Sequence, residues 1–163
     1  MANKSIFIFL VFSFVHFSCA AQSNETFIGK WKVIGVKDGV EYDYKTQKIT
    51  VTNALKDSLK GHPDSTDAIE ALTYFVKMYS NYYFEFTKDG HYTEIRNGKA
   101  RPTAKYTIDY INLAINLEYE LPTLTGNKNI KMDYQFRNGF LELKIKGIQS
   151  EKAIFILEKT INN

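Results

Sequence analysis

Tyr82-Tyr83-Phe84-Glu85-Phe86-Thr87-Lys88-Asp89-Gly90-His91-Tyr92-Thr93-Glu94-Ile95-Arg96 decides the fold class. Aromatic and β-branched residues dominate both halves, as in strands that pack on a pleated face. Asp89-Gly90 between them supplies the positive φ angles of a tight turn, so antiparallel strands are expected over 82–86 and 91–96. Asn97-Gly98 makes a further turn just beyond.

Outward toward the C-terminus the pattern repeats. Lys105 to Tyr110 and Leu113 to Glu120 read as a pair of strands, followed by a polar loop from Pro122 to Asn129. Ile130 to Phe136, Phe140 to Lys146 and Lys152 to Lys159 read as three more, with Arg137-Asn138-Gly139 as a turn. Toward the N-terminus, Phe27 to Lys37 is the expected first strand, closed by Asp38-Gly39. Glu41 to Val51 is ambiguous, although Ile49-Thr50-Val51 has strand character. About eight strands with turn signals every 8–12 residues make an all-β antiparallel meander that closes into a barrel or sandwich.

One stretch changes period. Asn53 can cap a short helix over residues 54–59, ended by Gly61 with Pro63 beyond. Asp67 and Glu70 resemble a capping box, and Ile69, Leu72, Val76 and Tyr79 recur at helical spacing. Residues 53–80 are therefore a helical insertion after the first strand. It can act as a lid over a barrel mouth, or as a helix buried against the barrel wall.

The N-terminus reads as an export signal. Lys4 is followed by the apolar run Ile6 to Phe17, which is shorter than the roughly 20 residues a bilayer span needs. Ser18-Cys19-Ala20 places small residues for cleavage after Ala20, and cleavage after Ala21, leaving Gln22 first, is almost as good. The rival reading lipidates Cys19 and anchors the protein to a membrane. Residues 1–20 are thus the signal, 21–26 a polar leader expected to be disordered, and 27–163 one barrel domain, periplasmic, secreted or anchored through Cys19. Cys19 is the single cysteine of the chain, so the mature domain relies on its core rather than on a disulfide. Removal of Lys4 with the signal leaves a net charge of about +2, too small to point to nucleic acid or an anionic membrane surface.

The segment Phe27-Ile28-Gly29-Lys30-Trp31-Lys32-Val33 resembles the lipocalin-like branch of the calycin superfamily. There a G-x-W lets the tryptophan plug the closed end of an eight-stranded up-and-down β-barrel, which implies that structural role for Gly29 and Trp31. The hairpin around Asp89-Gly90 and the last strand, Ala153 to Lys159, are similar to small exported lipocalin-like proteins of Bacteroidetes-type bacteria. Lipocalins place an arginine near the last strand to cover the tryptophan; here that stretch offers Lys152 and Lys159. The helical insertion is not a standard lipocalin element.

In a closed barrel one parity of each strand faces inward. That parity gives Phe84, Phe86, Tyr106, Ile108, Ile115, Leu117, Tyr134, Phe136, Leu143 and Ile145. They can line a pocket for a small hydrophobic or amphiphilic molecule, or simply fill the interior. Arg96 and Arg101 can meet an anionic head group or remain solvated.

No metal or cofactor is implied. His62 and His91 have no second ligand at metal spacing, and the mature domain has neither a cysteine nucleophile nor a G-x-S-x-G elbow. The expected function is non-covalent binding of an apolar or amphiphilic guest. The alternative is an envelope interaction module with a packed barrel, and an enzyme is not expected.

Overall fold

The computed structural model describes residues 24–121, 127–145 and 152–160. A single helical turn, α1 (Asn24–Phe27), leads into the long strand β1 (Gly29–Asp38). The hairpin β2 (Val40–Asp43) and β3 (Lys48–Val51) follows, then the helices α2 (Asn53–Ser58) and α3 (Ser65–Lys77). The remaining strands are β4 (Tyr82–Phe86), β5 (His91–Arg96), β6 (Lys99–Ala100), β7 (Ala104–Asp109), β8 (Ala114–Tyr119), β9 (Asn129–Arg137), β10 (Phe140–Ile145) and β11 (Ala153–Lys159).

Eight of these strands close a ring. The order is β1-β4-β5-β7-β8-β9-β10-β11, and β11 returns to pair with β1, antiparallel at every step. Closure removes the sheet edges that a meander of this length otherwise exposes. It is an all-β up-and-down barrel of lipocalin-like form. The short β6 pairs on β5, and β2–β3 hang from β1 outside the ring.

β1 organises the two ends. Its first half, from Gly29 to Lys32, pairs with β4, and its second half, from Gly35 to Asp38, pairs with β2. Its register with β11 shifts between Val33 and Gly35. This bulge resets the parity, so Trp31 and Val33 point into the barrel before it, and Val36 and Asp38 are buried after it.

Several local expectations need correction. Phe27 ends α1 rather than starting the first strand, and the leader residues Asn24 to Thr26 share that helical turn; 21–23, like the signal and Cys19, lie outside the described residues. The cause is tertiary: Phe27 is buried in the barrel end, where its carbonyl accepts the Trp31 indole N–H at 2.8 Å. The ambiguous stretch 41–51 is the β2–β3 hairpin, so the insertion follows three strands. Thr52, not Asn53, caps α2, its hydroxyl accepting from the Leu55 N–H at 3.3 Å. α3 starts two residues before Asp67, which therefore sits in the first turn and complements the helix dipole instead of capping.

Leu72 and Val76 bury one face of α3, which packs on β2 and β1. The Tyr44 hydroxyl donates to the Val76 carbonyl, which lies in the last turn of the helix and also accepts the Tyr79 N–H at 3.3 Å. Among the described residues no helix is long and apolar enough to cross a membrane.

Candidate functional site

The barrel ends differ in what fills them. At the closed end the Phe27 ring meets Tyr134 at 4.8 Å, Phe136 at 5.2 Å and Phe86 at 6.1 Å, all edge to face. Trp31 lies beside Phe136 at 6.0 Å, and the Lys159 ammonium sits 5.5 Å from the indole. The same ammonium donates to the Thr26 carbonyl at 3.3 Å. Lysine thus covers the tryptophan where lipocalins use arginine. Gly29 is required here: its φ is +127°, and a Cβ would come within 3.0 Å of Lys159 Cε.

At the other end the insertion and five strands surround a cavity of about 150 Å³. Phe75, Leu72 and Val76 of α3 form one side, with Tyr79 just after the helix. Tyr82 and Phe84 of β4, Phe155 and Ala153 of β11, Val36 of β1 and Ile145 of β10 supply most of the rest. The rings make a continuous wall: Tyr79 to Tyr82 is 5.1 Å, Tyr82 to Phe84 5.6 Å, Phe84 to Phe155 5.9 Å and Phe155 to Tyr79 4.8 Å.

Two carboxylates interrupt this apolar lining. Asp38, at the end of β1, is only 7% exposed. Glu94, on β5, accepts hydrogen bonds from the hydroxyls of Tyr82 and Tyr92, the latter at 3.2 Å. Burial, reinforced by the Glu94 charge, pushes the Tyr82 and Tyr92 phenols well above their ordinary value. Tyr119 is pushed up to about 12 for the same two reasons, with Arg101 opposing. Tyr82 and Tyr92 therefore stay neutral donors and hold the Glu94 carboxylate in one orientation.

All ten residues expected to face inward are buried or packed against the core, but only Phe84 and Ile145 among them line this cavity. Phe86, Tyr106, Ile108, Ile115, Leu117, Tyr134, Phe136 and Leu143 sit in the filled part of the interior, where Phe27 takes up the space that strand parity alone leaves open. The parity reading missed Asp38, Glu94 and the helix residues. Glu94 had a signal: it lies directly opposite Phe84 and shares the inward parity of Tyr92. Asp38 had none, because the bulge in β1 changes which residues point inward.

Arg96 and Arg101 lie near this end, close enough for their charges to favour ionisation of Tyr79, but neither lines the cavity. His91 is at the opposite end, paired with Asp89 at 3.0 Å on an exposed turn. Among the described residues no three of His, Cys, Asp and Glu gather to hold a metal ion.

The fold is an up-and-down barrel of lipocalin-like form, set by the strand order and the return of β11 to β1. No protein-family model matches the chain, and no curated protein sequence does. Three solved structures from Bacteroides are similar at low identity. A DUF4847 family protein from Bacteroides vulgatus is 15% identical, covering 85% of this chain and 96% of its own, with a TM-score of 0.45. A lipocalin-like protein from Bacteroides uniformis is 11% identical over 83% and 99%, with a TM-score of 0.43. An uncharacterized protein from Bacteroides eggerthii is 8% identical over 82% and 99%, also at 0.43. The strand order and ring closure carry the fold assignment without them.

Proposed function

We propose that this protein is an exported lipocalin-like barrel that binds a small hydrophobic or amphiphilic molecule non-covalently at the open end. The observation that carries the reading is the aromatic cavity between α3 and the barrel mouth. At about 150 Å³ it is of the size that takes a benzene-like guest when apolar. A larger amphiphile keeps its remainder outside, since the cavity opens to solvent. α3 is then both wall and gate, its buried face completing the site. Export rests on the apolar run before Ser18-Cys19-Ala20, with release after Ala20 or anchoring through Cys19 as the two outcomes.

Native mass spectrometry of the protein purified gently from its own envelope tests this. A small-molecule adduct is expected in the wild type. It is expected to disappear in Ala153→Leu, which fills the cavity, while the melting temperature stays within a few degrees. No adduct in the wild type, together with no response to a neutral environment-sensitive dye such as N-phenyl-1-naphthylamine, sinks the proposal. The intact mass also distinguishes a chain starting at Ala21 from one carrying lipid on Cys19.

A second reading has its own observation. Tyr74 and Phe75 expose 66% and 43% of their surface side by side on α3. An interaction module would use that helix face, and the same spectrum would then show a protein partner in place of a small adduct.

A further inference from the structure

We infer that the guest is a small organic cation, an amine or quaternary ammonium with an apolar body, whose charged end lies against Glu94 and whose body lies on the wall of Tyr79, Tyr82, Phe84 and Phe155. This rests on the cavity being a binding site and goes further by naming the chemical class.

The lining has one sign. Among the described residues its ionisable side chains other than tyrosine are Asp38 and Glu94, from different strands, and no described lysine, arginine or histidine lines it. Glu94 accepts two tyrosine hydroxyls, one on each oxygen, and has no cationic side chain within 4.0 Å among the described residues. A carboxylate has about four lone-pair positions, so two neutral donors leave it capacity for more. Glu94 is half-buried, and a hydrogen bond from a cationic donor to a carboxylate is about twice as strong as one from a neutral donor.

The rings point the same way. The four aromatic side chains form a closed circuit of contacts, each step between 4.8 and 5.9 Å. Aromatic faces carry the negative end of the ring quadrupole and attract a cation lying over them. An anionic amphiphile such as a fatty acid would bring its head group against two carboxylates.

Three isosteric probes separate the cation from the apolar body: 2-phenylethylamine, 2-phenylethanol and phenylacetate, titrated at pH 7 into the mature wild-type protein and followed by NMR shifts of Tyr79, Phe84 and Phe155. The amine is expected to bind at least tenfold more tightly than the alcohol, and the acid more weakly than either. Glu94→Gln should bring the amine down to the affinity of the alcohol and leave the alcohol unchanged within twofold. Asp38→Asn provides a second reading of the same field and should lower the amine preference by a smaller factor. If the alcohol or the acid binds as tightly as the amine in the wild type, the inference is overturned and the cavity reading stands. If none of the three probes shifts the cavity rings, both fall.

Discussion

The two ends of this barrel are built from similar rings and behave differently. At the closed end, Phe27 meets Phe86, Tyr134 and Phe136 edge to face, Trp31 lies tilted against Phe136, and the indole N–H is satisfied by the Phe27 carbonyl. With little polar surface to hydrate, such rings pack to the density of any core. At the open end, Tyr79, Tyr82, Phe84 and Phe155 are as close to one another, but Asp38 and Glu94 stand among them. A carboxylate resists dry burial unless it is paired or hydrogen-bonded. The difference shows that aromatic content does not make a pocket. The polar groups placed among the rings keep one end open while the other seals.

Breaking the closed end should cost most. Trp31→Ala removes a nearly fully buried indole and is expected to lose about 3–5 kcal/mol, read from urea unfolding by circular dichroism because Trp31 is the only tryptophan. A loss under about 1 kcal/mol would mean that the plug does not hold the barrel shut. Gly29→Ala should cost about 1–3 kcal/mol, since it forces a side chain into a left-handed backbone and against Lys159. Adding Lys159→Ala should recover the contact part and leave the backbone part, so a full recovery would contradict the strain.

The open end should respond to alkali. Tyr82, Tyr92 and Tyr119 have raised pKa values in the fold, so above about pH 10 the unfolded chain releases protons that the native state keeps. Their contribution is complete below pH 10 and is lost as pH rises, for Tyr119 through about 12. Each delayed proton lowers stability by at most about 1.4 kcal/mol per pH unit. Tyrosinate absorbance should lag behind that of the unfolded chain and catch up as the ellipticity collapses; coincident titrations of the two states would remove the effect. Smallest of all, Lys159→Met should cost under about 1 kcal/mol, the scale of one exposed cation over a ring. A larger loss would make lysine a full structural substitute for the arginine of lipocalins.

Local signals were legible where they needed only neighbours in sequence. The β4–β5 hairpin pairs Tyr82 with Arg96 and Phe86 with Tyr92, the register that its alternation implies. Its turn was read less well. Only Gly90 has a positive φ, so the loop is Lys88 to Gly90 with glycine in the left-handed position, not a two-residue Asp-Gly turn. Asn97-Gly98 and Asn138-Gly139 have both residues at positive φ, as a two-residue turn demands. The G-x-W segment marked the plug, because a glycine two residues before a tryptophan reflects a backbone constraint that one short stretch can encode.

The fold class was legible in local sequence: strands of alternating character joined by turns that only Gly and Asn readily make, and one amphipathic helical insertion. Those are short-range preferences, and the eleven strands among the described residues follow them. Where the barrel opens follows instead from long-range packing. Asp38 reads as half of a turn dipeptide, and it becomes a cavity carboxylate because the bulge between Val33 and Gly35 shifts the parity of β1. Phe27 reads as the start of a strand, and it becomes a plug because the closed ring offers its ring a place among Phe86, Tyr134 and Phe136. Both outcomes depend on strands far apart in the chain meeting at a particular register, which no window of residues contains.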